Sequence, residues 1–162
     1  MLARLMSLAP LLPLSAVLAA VFVPATARAD HMYLQATGLT GEELTAPFTG
    51  ATELQGFSLG TGGKNVQLSH MIDRATPGLL TAAATGKVLE VVTITVQTDA
   101  RQTYLVMTLK NVGVSSVQLS TGALGTQVQT ELRAERIDLE YSVVDARGGK
   151  TATERATIGG GK

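Results

Sequence analysis

The chain has no cysteine and no tryptophan, only two histidines, and just three tyrosines and three phenylalanines among its 162 residues. Without cysteine there can be no disulfide, no thiolate metal ligand, no cysteine nucleophile and no lipidated cysteine anchor. The fold must then rest on sheet hydrogen bonding, packing or self-association. Charged residues make up 16% of the chain, against roughly 25% in ordinary globular proteins. The surface is therefore expected to be covered by neutral Thr, Ser, Gln and Gly. Thirteen basic residues balance thirteen acidic ones, so nothing electrostatic points to nucleic acid or to an acidic membrane surface. With His31 and His70 the only imidazoles, no metal site and no cofactor is expected, and His70 reads as a hydrogen-bonded ring on the inner face of a strand.

What is present divides into two physical classes. Residues 1–29 read as a cleavable Sec-type signal peptide: Arg4 in a short leading region, an almost wholly apolar run from Leu8 to Val23, and Ala27-Arg28-Ala29 as a small-x-small cleavage site before Asp30. A membrane anchor over Leu5 to Val23 is the rival reading, but Pro10 and Pro13 would interrupt such a helix. A start at Met32 is the other, and the ordered three-part pattern argues against it. Cleavage removes Arg4 and Arg28 and no acid, leaving 11 basic and 13 acidic residues, a net charge of −2. Residues 30–158 are expected to form one domain, long enough to bury a core, and 159–162 a flexible Gly-rich tail.

Within that domain nearly everything alternates with the period of a half-buried strand. His31 to Thr37 places Met32, Leu34 and Ala36 on one face. A long loop, Gly38 to Gly50, follows with its own apolar side chains, which are expected to pack back on the domain. Ala51 to Leu59 is a second strand with a bulge at Gly56. Gly60 to Asn65 invites a phosphate-loop reading, but Asn65 follows Lys64 and a strand comes next, so a hairpin turn is the better account. Val66, Leu68, His70 and Ile72 share the inner face of the third strand. Thr76-Pro77 then opens the single helix, Pro77 to Thr85, with Thr76 as its cap, Gly86 as its stop and Lys87 just beyond. So short a helix must be packed, and Leu79, Leu80, Ala83 and Ala84 are expected against a sheet.

Val92, Ile94 and Val96 mark the strongest strand, and Thr103 to Leu109 its hairpin partner. Lys110 to Gly113 is expected to reverse the chain, Val114 to Leu119 to form a further strand, and Ser120 to Thr126 a loop. In the last long strand Val128, Leu132 and Ala134 fall on even positions but Ile137, Leu139, Tyr141 and Val143 on odd ones. A bulge or bend near Ala134 to Arg136 would reconcile them. A turn at Asp145 to Gly149 and an edge strand, Thr151 to Ile158, complete a mainly β, compact antiparallel two-sheet barrel with one flanking helix.

Asp73-Arg74-Ala75-Thr76-Pro77-Gly78-Leu79-Leu80 followed by Ala83-Ala84-Thr85-Gly86-Lys87 and a Thr-alternating strand resembles the hemolysin-coregulated protein (Hcp) family, the tube-forming proteins of type VI secretion systems. Tyr33-Leu34, Tyr104-Leu105 with Val112 to Val117, and Ala134 to Tyr141 resemble other family segments in the same order. The resemblance implies a non-enzymatic structural protein, a ring-forming tube subunit or secreted component. It also implies self-association into a hexameric ring that stacks, with protein cargo in the lumen. The Gly38–Gly50 loop then supplies the subunit-interface candidates Leu39, Glu42, Glu43, Leu44 and Phe48. The alternative is an exported β-barrel binding module, monomeric or oligomeric, in the periplasm or on the cell surface. An enzyme is disfavoured: Asp73, His70, Glu90 and Asp138 are scattered and form no convergent set, and no catalytic residue is expected. The expected location is periplasmic or extracellular, with no membrane anchor once the signal is removed.

Overall fold

The computed structural model describes residues 30–60, 64–145 and 149–159. Residues 1–29, read above as a signal peptide, the middle of the turn expected from Gly60 to Asn65, the middle of the turn expected from Asp145 to Gly149 and the end of the expected tail therefore lie outside the described residues. Seven strands and one helix follow in order: β1 (His31–Ala36), β2 (Thr52–Leu59), β3 (Asn65–Met71), α1 (Thr76–Thr85), β4 (Leu89–Gln97), β5 (Thr103–Gly122), β6 (Gly125–Val144) and β7 (Lys150–Gly159). All pairings are antiparallel in the order β3-β2-β1-β4-β5-β6-β7, and β3 also pairs with β6. That extra pairing closes β1 to β6 into a ring of strands and leaves β7 outside it.

The alternation of apolar side chains explains the interior. Val66, Leu68, Val92, Ile94, Met107, Leu109, Val112, Leu132 and Ile137 are each at most 2% exposed and form one core with Leu34, Leu54 and Leu79. Each such burial contributes on the order of 1.5–3 kcal/mol. The β2 bulge lies where expected, as a register shift between Leu54 and Gly56. His70 is fully buried with Nδ1 2.8 Å from the Met71 carbonyl, while Ile72, expected beside it, lies past the end of β3 and is half exposed.

Two expectations fail in the centre of the chain. Lys110 to Gly113 does not reverse the backbone: β5 runs through it as one 20-residue strand. Asn111 absorbs the irregularity with a left-handed φ of 51°, a conformation Asn tolerates better than most residues. The strand bends there, and its buried side chains change parity from Met107 and Leu109 to Val112 and Val114. Nor is Ser120 to Thr126 a loop. The β5–β6 ladder continues to Gly122 and Gly125, leaving Ala123 and Leu124 as the turn. Small and polar residues at exposed hairpin ends look like loop in sequence because they have nothing to pack on.

The change of parity in β6 is present, between buried Ala134 and buried Ile137. Opposite it lies Asn111, whose Nδ2 donates to Glu135 Oε2 at 2.8 Å. The one register shift in the β5–β6 ladder is elsewhere, between Val114 and Ser116. At Glu135, β6 changes partners, from β3 (through Arg133) to β7 (from Arg136). Gly159 closes β7 against this point. Its φ is +79°, and a Cβ there would collide with the Glu135 carbonyl oxygen, so only glycine fits. Gly159 is thus the last residue of a strand, one residue beyond the expected edge strand.

The helix spans Thr76–Thr85 and stops at Gly86 in the left-handed conformation, as the sequence indicates. Its start is built differently. Thr76 is the first helical residue rather than the cap, and the free N–H groups turn to Asp73: Oδ1 accepts from Ala75 N (3.1 Å), Thr76 N (3.2 Å) and the Thr76 hydroxyl (3.0 Å). Oδ2 accepts from the Thr52 hydroxyl at 2.6 Å, tying the helix to β2. The inner face is Leu79, Ala82 and part of Ala83, whereas Leu80 and Ala84 face outward. One carboxylate therefore caps α1 and fixes it to the barrel. Asp73→Ala is expected to lower stability by roughly 2–3 kcal/mol, combining a lost cap with lost hydrogen bonds to a charged acceptor. Denaturant unfolding checks this, and a change within experimental error would contradict the assignment.

Candidate functional site

Surfaces available to other molecules, rather than an enclosed site, are what the fold presents. The loop between β1 and β2 is the most elaborate. Its ends are closed by backbone bonds from Gly41 N to Gly50 O (2.7 Å), Gly50 N to Glu43 O (2.7 Å) and Glu43 N to Ala51 O (3.0 Å). A side chain at Gly41 would strike the Ala51 carbonyl, so this closure needs glycine. Phe48 folds back over β1 and stacks on Tyr33, with ring centroids 4.2 Å apart and planes 8° from parallel. This roof buries Tyr33, Phe48 and Ala51 as a second small core, on the side of β1 away from the main one. The burial also pushes the Tyr33 hydroxyl above its ordinary pKa.

Of the five interface candidates, two are thereby turned inward. Phe48 is 7% exposed, and Leu39 packs against the main core and Gly78 of α1. Glu43 is half-buried, and hydrogen bonds from Thr45 hold its carboxyl below the usual range. Glu42 and Leu44 face solvent, Leu44 at 85% exposure. Glu42 and Glu43 also border a groove with Glu53 and Asp73, floored by Leu54 and Met71.

Several other charged residues have structural partners. Asp138 accepts from Arg136 at 2.8 Å and from the Thr157 hydroxyl at 2.8 Å, with Lys110 at 3.6 Å; these cations and hydrogen bonds lower its pKa, the Arg136 contact most of all. Glu140 pairs with Arg155 at 3.0 Å. Glu90 is exposed on β4, His70 is enclosed in the barrel and Asp73 is committed to the helix cap. Asp73, His70, Glu90 and Asp138 thus lie in separate surroundings. Among the described residues no three His, Cys, Asp or Glu side chains are grouped to hold a metal, and no helix is long and apolar enough to cross a membrane.

Apolar side chains that the sequence did not nominate are also exposed: Leu80, Val88 and Val91 around α1, Leu124 at the β5–β6 turn, and Tyr141 and Val143 on β6. The signal that could have found the first group is the helix itself, ten residues without a charge. On the opposite side, the outer face of β2, β3, β6 and β5 presents Ser58, Gln67, Ser69, Gln118 and Gln129 with Glu131 as its acid. That is the neutral surface anticipated from composition.

Comparison with known proteins places this architecture. A family model described as "Type VI secretion system effector, Hcp" matches residues 33–147, which takes in every strand of the barrel but the first two residues of β1, together with α1. No curated protein sequence matches the chain. Among solved structures, Hcp1 from Salmonella typhimurium is 23% identical with a TM-score of 0.71, over 80% of this chain and 94% of that one. A type VI secretion system effector from Yersinia pestis is 19% identical with a TM-score of 0.69, over 79% and 98%. The secreted protein Hcp3 from Pseudomonas aeruginosa is 14% identical with a TM-score of 0.63, over 82% and 98%. At these identities the structures establish the shared fold, while the family model covers most of the chain. The chain belongs to the Hcp family, the structural tube and effector proteins of type VI secretion systems.

Proposed function

We propose that the mature chain is a non-enzymatic ring subunit: six copies close head to tail, rings stack, and the lumen carries protein cargo. The family membership supports the general role. The observation in this chain that supports self-association is its surface. Leu44, Leu124, Val88 and Val143 stand 44–86% exposed on a protein with few charges. Apolar residues exposed singly are ordinary, so these four count only as positions that a neighbouring subunit would cover, and the family membership carries the reading. Leu44 and Glu42, at the outer side of the β1–β2 loop, are the members of the nominated set that a neighbouring subunit would touch, with Glu43 behind them. Leu39 and Phe48 support that loop from within.

Light scattering of residues 30–162 across a range of concentrations tests the ring. The expected mass is six times the protomer, and Leu44→Asp shifts the equilibrium toward smaller species. A clean monomer at high concentration would contradict the ring and favour the exported binding module.

We further propose that residues 1–29 direct export and are removed, which puts the folded chain in the periplasm or outside the cell. The support is the ordered sequence pattern before Asp30. Sequencing the N-terminus of protein recovered from a periplasmic extract is expected to read Asp30-His31-Met32. An intact Met1, or a start at Met32, would refute cleavage after Ala29.

A further inference from the structure

Asp30 lies just ahead of β1, beyond the point where His31 pairs with Gln97 of β4. Its side chain spans the end of β4, which lies between β1 and β5 in the sheet, and Oδ2 accepts from the Tyr104 hydroxyl of β5 at 2.7 Å. The other oxygen is treated differently. Oδ1 is shut off from solvent and has no hydrogen-bond partner among the described residues. A carboxylate oxygen in that state is costly, because it has given up water and gained no donor in return.

Around this carboxylate is a small pocket of about 190 Å³. It is walled by Thr98, in the turn after β4, by Tyr104, and by Tyr141 and Ser142 on the arm formed by β7 and the half of β6 that has left β3. Tyr104 and Tyr141 meet edge to face with ring centroids 6.2 Å apart, and Thr98 and Ser142 are buried. A carboxylate, two phenol rings and two hydroxyl side chains suit a small cation with hydrogens to donate. The carboxylate pairs with its charge, and the ring faces attract it. None of the described residues lining the pocket is itself a cation.

We propose that this pocket receives the α-ammonium group that cleavage after Ala29 creates on Asp30, so that removal of the leader completes the corner where β1 begins. The inference rests on the cleavage reading above. In the uncut chain the Asp30 nitrogen is a neutral amide with a single hydrogen. Hydrolysis of the Ala29–Asp30 bond consumes one water, leaves a carboxylate on Ala29 and puts a protonated amine on Asp30. The new group carries a positive charge and several donors. It sits on the same residue as Oδ1, so side-chain rotation brings the two within hydrogen-bond reach while Tyr104 holds Oδ2. That proximity, and the small size of the pocket, favour the chain's own amine over a foreign one. A charged terminus seated against β5 and the arm pins β1 at its start, and the uncut chain has no such group to seat. Processing is thereby part of folding the exported protein.

The test compares three forms of residues 30–162: one released from a fusion partner with a free Asp30 amine, one acetylated at that amine, and one preceded by a short neutral extension. Blocking the amine in either way is expected to raise the unfolding equilibrium constant about tenfold. In Asp30→Asn the difference between free and blocked forms is expected to vanish. Free and acetylated chains of equal stability would overturn the proposal. A difference that persists in Asp30→Asn would overturn it too, since the amine would then act elsewhere. A second readout does not depend on stability: acylation of the Asp30 amine at neutral pH, mapped by mass spectrometry, is expected to run several-fold slower in the folded chain than in denaturant. Equal rates would overturn the seating of the amine. Periplasmic protein that keeps Met1 or starts at Met32 would instead overturn the cleavage reading and the link to processing, while the stability difference between the purified chains would stand, so the two failures are told apart.

Discussion

The pairing of β3 with β6 is the interaction on which the rest of this structure depends. Without it the strands form an open sheet with β3 and β7 as its edges; with it, β1 to β6 become a closed wall around Val66, Leu68, Leu132 and their neighbours. The ladder runs from Asn65 opposite Arg133 to Met71 opposite Gln127. It is extended at both ends, by Ala134 N to Lys64 O (2.9 Å) and Ile72 N to Thr126 O (2.9 Å). Closure covers the free edge of β3 and that of the first half of β6, which would otherwise invite other chains, and leaves β7 as the edge strand.

Closure also decides what β6 can do afterwards. A strand of 20 residues is longer than the barrel wall needs, and at Glu135 it passes from β3 to β7. Three residues make that exchange possible. Asn111 bends the neighbouring strand with a left-handed backbone, Glu135 accepts its side-chain amide, and Gly159 lets β7 approach where no side chain would fit. The same point that ends the barrel begins the arm. What the arm exposes follows from the barrel, since its apolar face carries on the inner-facing side chains of β6 after the core behind them has run out.

Much of this was legible in sequence. The helix with its Gly86 stop, the Gly56 bulge, the inward placement of His70 and the parity change near Glu135 all follow from short-range rules of spacing and backbone freedom. The family segments fell in order around Asp73 to Lys87. Long-range matters were not legible. Asn111 signalled a turn because a left-handed residue usually ends a strand; here partners on both sides of β5 carry the strand through it. The hairpin end from Ser120 to Thr126 lacks apolar alternation because it projects beyond the core, so strand and loop look alike there. The capping group is Asp73 rather than Thr76, because the helix begins at Thr76, one residue earlier than Pro77. Among the interface candidates, Phe48 stacks on Tyr33 within the chain, a long-range pairing that local spacing does not announce. The outward side of α1 is not legible because leucines and alanines occur on both sides of the helix, with Leu79 and Ala82 buried and Leu80 and Ala84 exposed.

Native-state amide exchange, resolved by residue, tests the closure of the barrel most directly. If β3 and β6 close the wall, the amides of the Asn65–Met71 and Gln127–Arg133 segments that bond across the ladder exchange only through global unfolding, with the same protection as β4. Exchange of these segments through local opening, while β1, β4 and β5 remain protected, would show an open sheet and contradict the account.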